Sequence, residues 1–187
     1  MIAGSAWLVR HGETEWSRRR LHTSVTDLPL TTAGEDAARA IGERLAGRSF
    51  ALVLTSPRLR ARQTAELAGF PEAVPDEDLA EWAYGDYEGM STEEIRRSVP
   101  GWTIWTHPAP GGESAADVEA RIDRVLARVR AVHGDVLLFG HAHSLRVLAA
   151  RWLGEAAADG RRYRLDTGTL SALGYEREAP VIERWNA

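Results

Sequence analysis

Three short segments of the chain combine residue types that suit an anionic substrate. The first, Arg10-His11-Gly12, directly follows the apolar run Ala6-Trp7-Leu8-Val9. The second, Ser56-Pro57-Arg58-Leu59-Arg60-Ala61-Arg62, follows the apolar run Ala51–Thr55, and the third, Gly140-His141-Ala142-His143, follows Val136–Phe139. Guanidinium forks and free amides at helix N-termini match the oxygens of a phosphate dianion, and a neutral imidazole can attack phosphorus. If the three segments converge, they suit phosphoryl chemistry. Composition does not choose among Arg58, Arg60 and Arg62.

Convergence depends on the elements behind the segments. Strands are expected at Ala6–Arg10, Ala51–Thr55, Val136–Gly140, Thr169–Tyr175 and Val181–Trp185. Helices are expected from Thr32, where Thr32 and Glu35 have capping-box spacing, and from Ser91, where Ser91 and Glu94 repeat it. A further helix is expected from Ser56 with Pro57 in its first position, another over Ser114–Val132 from apolar residues at helical spacing, and a last one over about Leu145–Leu153. This alternation predicts an α/β fold: a three-layer α/β/α sandwich with a mostly parallel mixed sheet, in one domain over residues 1–187. Ligands of such sheets bind outside the carboxyl ends of the strands, where all three segments fall. Pro71–Trp82 and Pro100–Gly112 read as active-site loops or lids, with Trp102 and Trp105 more suited to packing than to stacking on substrate. The glycine of Arg10-His11-Gly12 reads as the residue least able to obstruct a ligand.

Composition narrows the chemistry. The chain has 187 residues, a net charge of −4, no cysteine, and no lysine, so all 23 basic residues are arginine. That excludes a disulfide framework, a thiolate nucleophile, a Schiff-base lysine and the lysine of a Walker loop. The acidic balance carries no footprint for nucleic acid. The start, Met1-Ile2-Ala3-Gly4, has no basic leader, and no apolar run approaches the ~20 residues of a membrane span, so no membrane partner and a cytoplasmic location are expected.

The motifs resemble the histidine phosphatase superfamily, the phosphoglycerate-mutase-like fold, in family order from residue 8 to about 150. They are Arg10-His11-Gly12, Arg60-Ala61-Arg62-Gln63-Thr64-Ala65, Leu79-Ala80-Glu81 running into Gly85-Asp86-Tyr87-Glu88-Gly89, and His141. The phrases Ser56–Thr64 and Glu81–Met90 look most like the sedoheptulose-bisphosphatase and acid-phosphatase branch. The resemblance implies a metal-independent phosphomonoester hydrolase without cofactor, acting on a small sugar phosphate or phosphoglycerate-like ester. In it His11 becomes a phosphohistidine that water hydrolyses, while Arg10, Arg60 and His141 surround the phosphoryl oxygens. Glu81 protonates the leaving alcohol, with Asp78, Asp86 and Glu88 as competitors for that role, so kcat should fall as pH rises above neutrality. Substrate contacts are expected from Ser17, Thr23, Arg20, Tyr84 and Ala142, the last standing where the family usually has glycine. Whether one of Arg18, Arg19 and Arg20 reaches a distal phosphate or carboxylate, or all three are a solvated charge run, stays open. Family members are often homodimers, an expectation that no exposed apolar stripe supports here.

Two other readings compete. Arg96-Arg97-Ser98 resembles the carboxylate-binding motif of cofactor-dependent phosphoglycerate mutases, but it lies in an expected helix and lacks the following aromatic residue. The histidines at 11, 22, 141 and 143 with Glu81 could instead form a metal site, although two histidines two apart at a strand-to-helix turn lack a typical zinc spacing. A third possibility is a catalytically weak protein that binds a phosphometabolite.

Overall fold

In the computed structural model, which describes residues 4–187, six strands form one sheet: β1 (Ala6–Arg10), β2 (Leu52–Thr55), β3 (Val74–Pro75), β4 (Val136–Gly140), β5 (Leu170–Glu176) and β6 (Ala179–Arg184). Their spatial order is β3-β2-β4-β1-β5-β6. The neighbours β3, β2, β4 and β1 pair in parallel, whereas β5 is antiparallel to both β1 and β6. The helices are α1 (Glu15–Arg18), α2 (Thr32–Leu45), α3 (Leu59–Leu67), α4 (Thr92–Ser98), α5 (Ala115–Ala131) and α6 (Ala142–Trp152).

Every side chain of β1 from Ala6 to Val9 is buried, because both faces of the sheet are covered. Ala6 and Leu8 point into a core shared with Ile122, Val125 and Val129 of α5 and Leu145 and Leu148 of α6. Trp7 and Val9 point the other way, toward Ile41 and Leu45 of α2 and Ala65 of α3. The period of two along a strand thus builds the three layers of the expected α/β/α sandwich. The segments expected as active-site loops or lids are anchored in the core by Trp82 and Trp102, both fully buried in the cluster that includes α5 and α6 residues, while Glu81 of the first segment faces the carboxyl ends of the strands.

Tertiary contacts correct one expected cap and two expected helix starts, while α2 begins at Thr32 as expected. The cap of α2 is Thr31, which accepts from Gly34 N and donates its own hydroxyl to Glu13, a tie to the turn after β1 that Thr32 does not make. Helix α3 begins at Leu59, not at Ser56, because Asp27 reaches across from a distant loop to accept the Leu59 N–H at 2.6 Å. Helix α6 begins three residues early, at Ala142, with Glu81 accepting the amides of His143 and Ser144. The Ser91–Glu94 capping box of α4 is as read, and the first turn of α5 carries another, Ser114–Asp117. Two-residue β3, within the expected irregular stretch, is too short to show a pattern.

Gly12 is explained by packing. A Cβ there would lie 2.3 Å from Gly34 O, where the first turn of α2 crosses the chain. The glycine lets a backbone pass; it does not make room for a ligand.

Candidate active site

The carboxyl ends of β1, β2 and β4 are adjacent, so Arg10-His11, Ser56 and His141 meet. A cavity of about 590 Å³ opens at this edge, lined by Arg10, His11, Ser17, Arg20 and Thr23 together with Glu81, Tyr84, Ala142, His143 and Arg146. Its remaining wall includes Arg164, Leu165, Asp166 and Thr167.

His11 is 5% exposed, and its Nδ1 lies 2.7 Å from Gly12 O. A carbonyl oxygen only accepts, so Nδ1 carries the proton and Nε2 keeps its lone pair. Burial holds this imidazole well below its usual pKa, and the Arg60 and Arg10 charges press the same way. His11 is therefore neutral, with a free lone pair on Nε2, in a cavity containing guanidinium groups. Gly12 N donates to Thr64 Oγ1, which in turn donates to Arg60 O, so the loop is tied to α3.

Arg10 Nη1 donates to Leu165 O at 2.6 Å, whereas its buried Nε has no partner. A buried donor left unpaired on a cavity wall fits an anionic oxygen supplied by a ligand. Arg60 and His141 stand behind His11, fully buried, and do not line the cavity. Arg60 Nε donates to His141 Nδ1 at 3.2 Å, and its terminal nitrogens donate to the carbonyls of Thr23, Ser24 and Thr26. His141 Nε2 then donates to Ser56 Oγ at 2.7 Å.

Glu81 is held by amides. Its Oε1 accepts from Trp82 N and Ser144 N, both at 2.9 Å, and its Oε2 from His143 N at 3.0 Å. Three of four lone-pair directions are occupied, and the free one is on Oε2. Of the competing acids, Asp78 pairs with Arg124 and Glu88 accepts from the amides of Ser24 and Thr26. Asp86 does not line the cavity.

The expected substrate contacts divide. Ser17 and Thr23 line the cavity, but their hydroxyls donate to Thr14 O and Leu21 O, so both serve local turns. Ala142 supplies one of the first amides of α6, where no intrahelical acceptor exists. The Tyr84 hydroxyl meets His143 Nδ1 at 2.6 Å. Of the arginine run, Arg20 lines the cavity in a left-handed conformation (φ 59°), while Arg18 pairs with Glu15 on the surface. Arg96 and Arg97 of α4 do not line it; Arg96 donates to Trp102 O and Arg97 pairs with Glu93. Among the described residues, no three His, Cys, Asp or Glu side chains are grouped to hold a metal ion.

Sequence reasoning missed residues 164–167. They precede β5, and an antiparallel strand begins where its parallel neighbour ends. Gly168 N accordingly donates to the Arg10 and His11 carbonyls. Arg146, one turn beyond His143, was also missed.

Burial also holds the imidazoles of His141 and His143 well below their usual range, and pushes His22 down to about 4. With His11, these four rings bind protons near pH 6.5 in the unfolded chain but not in the folded one. Below that pH, unfolding therefore takes up protons, and stability falls as pH drops, the His22 contribution continuing to about pH 4. The melting temperature should be clearly lower at pH 5 than at pH 7 by thermal denaturation. A flat or rising profile over that interval would contradict neutral burial of these rings.

A family model, Histidine phosphatase superfamily (branch 1), matches residues 6–187. The chain is 40% identical over 173 residues to an acid phosphatase of Mycobacterium tuberculosis, covering 90% of this chain and 85% of the relative. It is 39% identical over 180 residues to sedoheptulose 1,7-bisphosphatase of Saccharomyces cerevisiae, covering 79% of this chain and 66% of the relative. The fold superposes on the solved structure of open reading frame Rv3214 from Mycobacterium tuberculosis with a TM-score of 0.92, at 36% identity, over 98% of this chain and 97% of the other.

Proposed function

This chain belongs to branch 1 of the histidine phosphatase superfamily, and from that membership we propose that it is a metal-independent phosphomonoester hydrolase acting through a phosphohistidine on His11. The observation that carries the reading is the neutral His11 ring, whose Nδ1–H is spent on Gly12 O and whose Nε2 lone pair is free. In the first step Nε2 attacks phosphorus, the P–N bond forms and the P–O bond to the alcohol breaks. Arg10, with its unpaired Nε, and the Ala142 amide stabilise the charge on the phosphoryl oxygens, the kind of preorganised donor that contributes most to such reactions. Glu81, entering the step as the carboxylic acid with its proton on the open Oε2 position, delivers that proton to the departing alkoxide. It then takes one from the water that cleaves the P–N bond and releases inorganic phosphate.

Arg60 acts from behind, adding positive charge and fixing the Thr23–Thr26 loop. The relatives' names support a phosphorylated small molecule as substrate, and a cavity of about 590 Å³ accommodates more than a phosphoryl group. The mutase reading is less supported, because Arg96 and Arg97 sit outside the cavity.

Phosphate release from a panel of esters in EDTA tests this function. Full activity in the chelator is expected, and activity that required added zinc would overturn it. Glu81→Gln refines the test. Its kcat should fall about 10²- to 10⁴-fold on a sugar phosphate, whose alkoxide needs a proton, and far less on p-nitrophenyl phosphate, whose leaving group does not. Equal losses on both esters would assign Glu81 to holding α6 rather than to proton transfer.

A further inference from the structure

Helix α5 lies outside the cavity, yet one row of its side chains ends on the segment that leads into Glu81. Arg121, Arg124 and Arg128 are spaced three and four apart and so share one helix face. Arg128 pairs with the Asp76 carboxylate and Arg124 with that of Asp78. Arg121, only 7% exposed, reaches the backbone instead: its Nη1 donates to Asp78 O at 2.8 Å and to Ala80 O at 2.7 Å.

The other flank of Glu81 is held by the partner of Arg121. Glu113 accepts Arg121 Nε on Oε1 at 2.7 Å and Nη2 on Oε2 at 3.0 Å, a bidentate pair. The same Oε2 accepts Ala83 N at 2.9 Å, while Glu113 O accepts Trp82 Nε1 at 2.8 Å and Glu113 N donates to Ala83 O at 3.0 Å. Gly112 permits this approach, since a Cβ there would lie 2.3 Å from Ala83 O. One ion pair thus holds the chain on both sides of Glu81, at residues 78 and 80 and at residues 82 and 83. The Glu81 carboxylate is held separately, by the amides of Trp82, His143 and Ser144.

An ion pair taken out of water contributes little net stability, because desolvation of both charges offsets their attraction. What this pair supplies is direction: its remaining bonds go to backbone groups next to the acid. We propose that Arg121 and Glu113 are positioning residues for proton transfer, fixing the Glu81 backbone so that the open Oε2 position meets the leaving-group oxygen. The inference rests on the hydrolase reading above, with Glu81 as its acid. An acid must stand within hydrogen-bond reach of the oxygen it protonates, and a misplacement of about 1 Å can cost about 10²-fold.

Leaving-group dependence tests it. The quantity measured is kcat/KM, which reports phosphoryl transfer to His11. The esters are p-nitrophenyl phosphate and whichever of glucose 6-phosphate, glycerol 3-phosphate and 3-phosphoglycerate wild type cleaves fastest. Glu113→Gln keeps the side-chain shape, but its amide nitrogen cannot accept from Arg121 or Ala83. The paired variant Arg121→Met, Glu113→Gln removes both charges, so none stays unmatched and the fold should survive. Each should lower kcat/KM on the alkyl phosphate by about tenfold or more, and on p-nitrophenyl phosphate by about twofold or less. In a Glu81→Gln background the paired change should cost little further, because no proton is left to misplace.

Equal losses on both esters would make the pair a brace for the fold and overturn the proposal, as would failure of both variants to fold. Full additivity with Glu81→Gln would overturn it too. A selective loss in Glu81→Gln without one in either Glu113 variant would sink the positioning role and leave the hydrolase reading standing. If Glu81→Gln showed no selective loss, or wild type cleaved no ester, the reading beneath the proposal would fall and the proposal with it.

Discussion

Replacement of His11 by asparagine is expected to abolish hydrolysis, lowering kcat by about 10⁴-fold or more, the scale of losing a covalent nucleophile. No neighbouring group can take over. His141 is 5.1 Å away between ring centroids, but Nδ1 accepts from Arg60 and Nε2 donates to Ser56, so neither nitrogen offers a lone pair. His22 and His143 lie in a separate aromatic cluster with Tyr84 and the tryptophans. Chain chemistry removes further substitutes, since there is no cysteine and no lysine. Asparagine can still donate to Gly12 O, so the fold should survive, and circular dichroism would separate a silent enzyme from an unfolded one. Residual activity within tenfold of wild type would mean that water attacks phosphorus directly.

The second large effect belongs to Arg10. Arg10→Met should lower kcat about 10²- to 10³-fold, the cost of removing one preorganised donor from a charged transition state. Stability should move in a different proportion. The side chain is half-buried at the cavity wall, burial lowers its pKa, and its buried Nε is unpaired. Methionine removes that desolvated charge and gives up the bond to Leu165 O, so the two changes oppose each other. The melting temperature should shift by no more than a few degrees (~1 kcal/mol in a domain of this size). Arg10→Lys should fail to restore turnover, because a single ammonium cannot hold Leu165 O and also face the phosphoryl oxygens. A fall in melting temperature that tracks the loss of activity would make Arg10 a structural residue.

These two residues were legible because their surroundings in sequence are unambiguous. Strands β1 and β4 are apolar runs cut off by Arg10-His11 and Gly140-His141, and both ends were read to the residue. Parallel strands then place both histidines at one edge without further knowledge. The α5 periodicity was equally clear, since one face is buried over about three turns, from Val118 to Val129. What sequence concealed is long-range. Asp27 sets the start of α3, Glu81 sets the start of α6, and Gly12 answers to Gly34, each pair separated by more than twenty residues. The same holds for Glu88, read as a competing acid but bonded to Ser24 and Thr26. Hydroxyls of Ser17 and Thr23, placed in the site by family pattern, proved to serve their own turns. The wall at 164–167 and the cation at 146 carry no motif: the first emerges only when β5 is seen to run against β1, the second only when α6 is seen to start at Ala142.

The central claim is a covalent bond between phosphorus and His11 Nε2. Wild-type protein is mixed with excess substrate, quenched in alkali within milliseconds to preserve the acid-labile P–N bond, digested and analysed by mass spectrometry. The account predicts one added phosphoryl group on the peptide containing His11, absent from the His11→Asn protein and lost on brief acid treatment. An enzyme that turns over rapidly while His11 stays unmodified, or that carries the phosphoryl group on another residue, would contradict it.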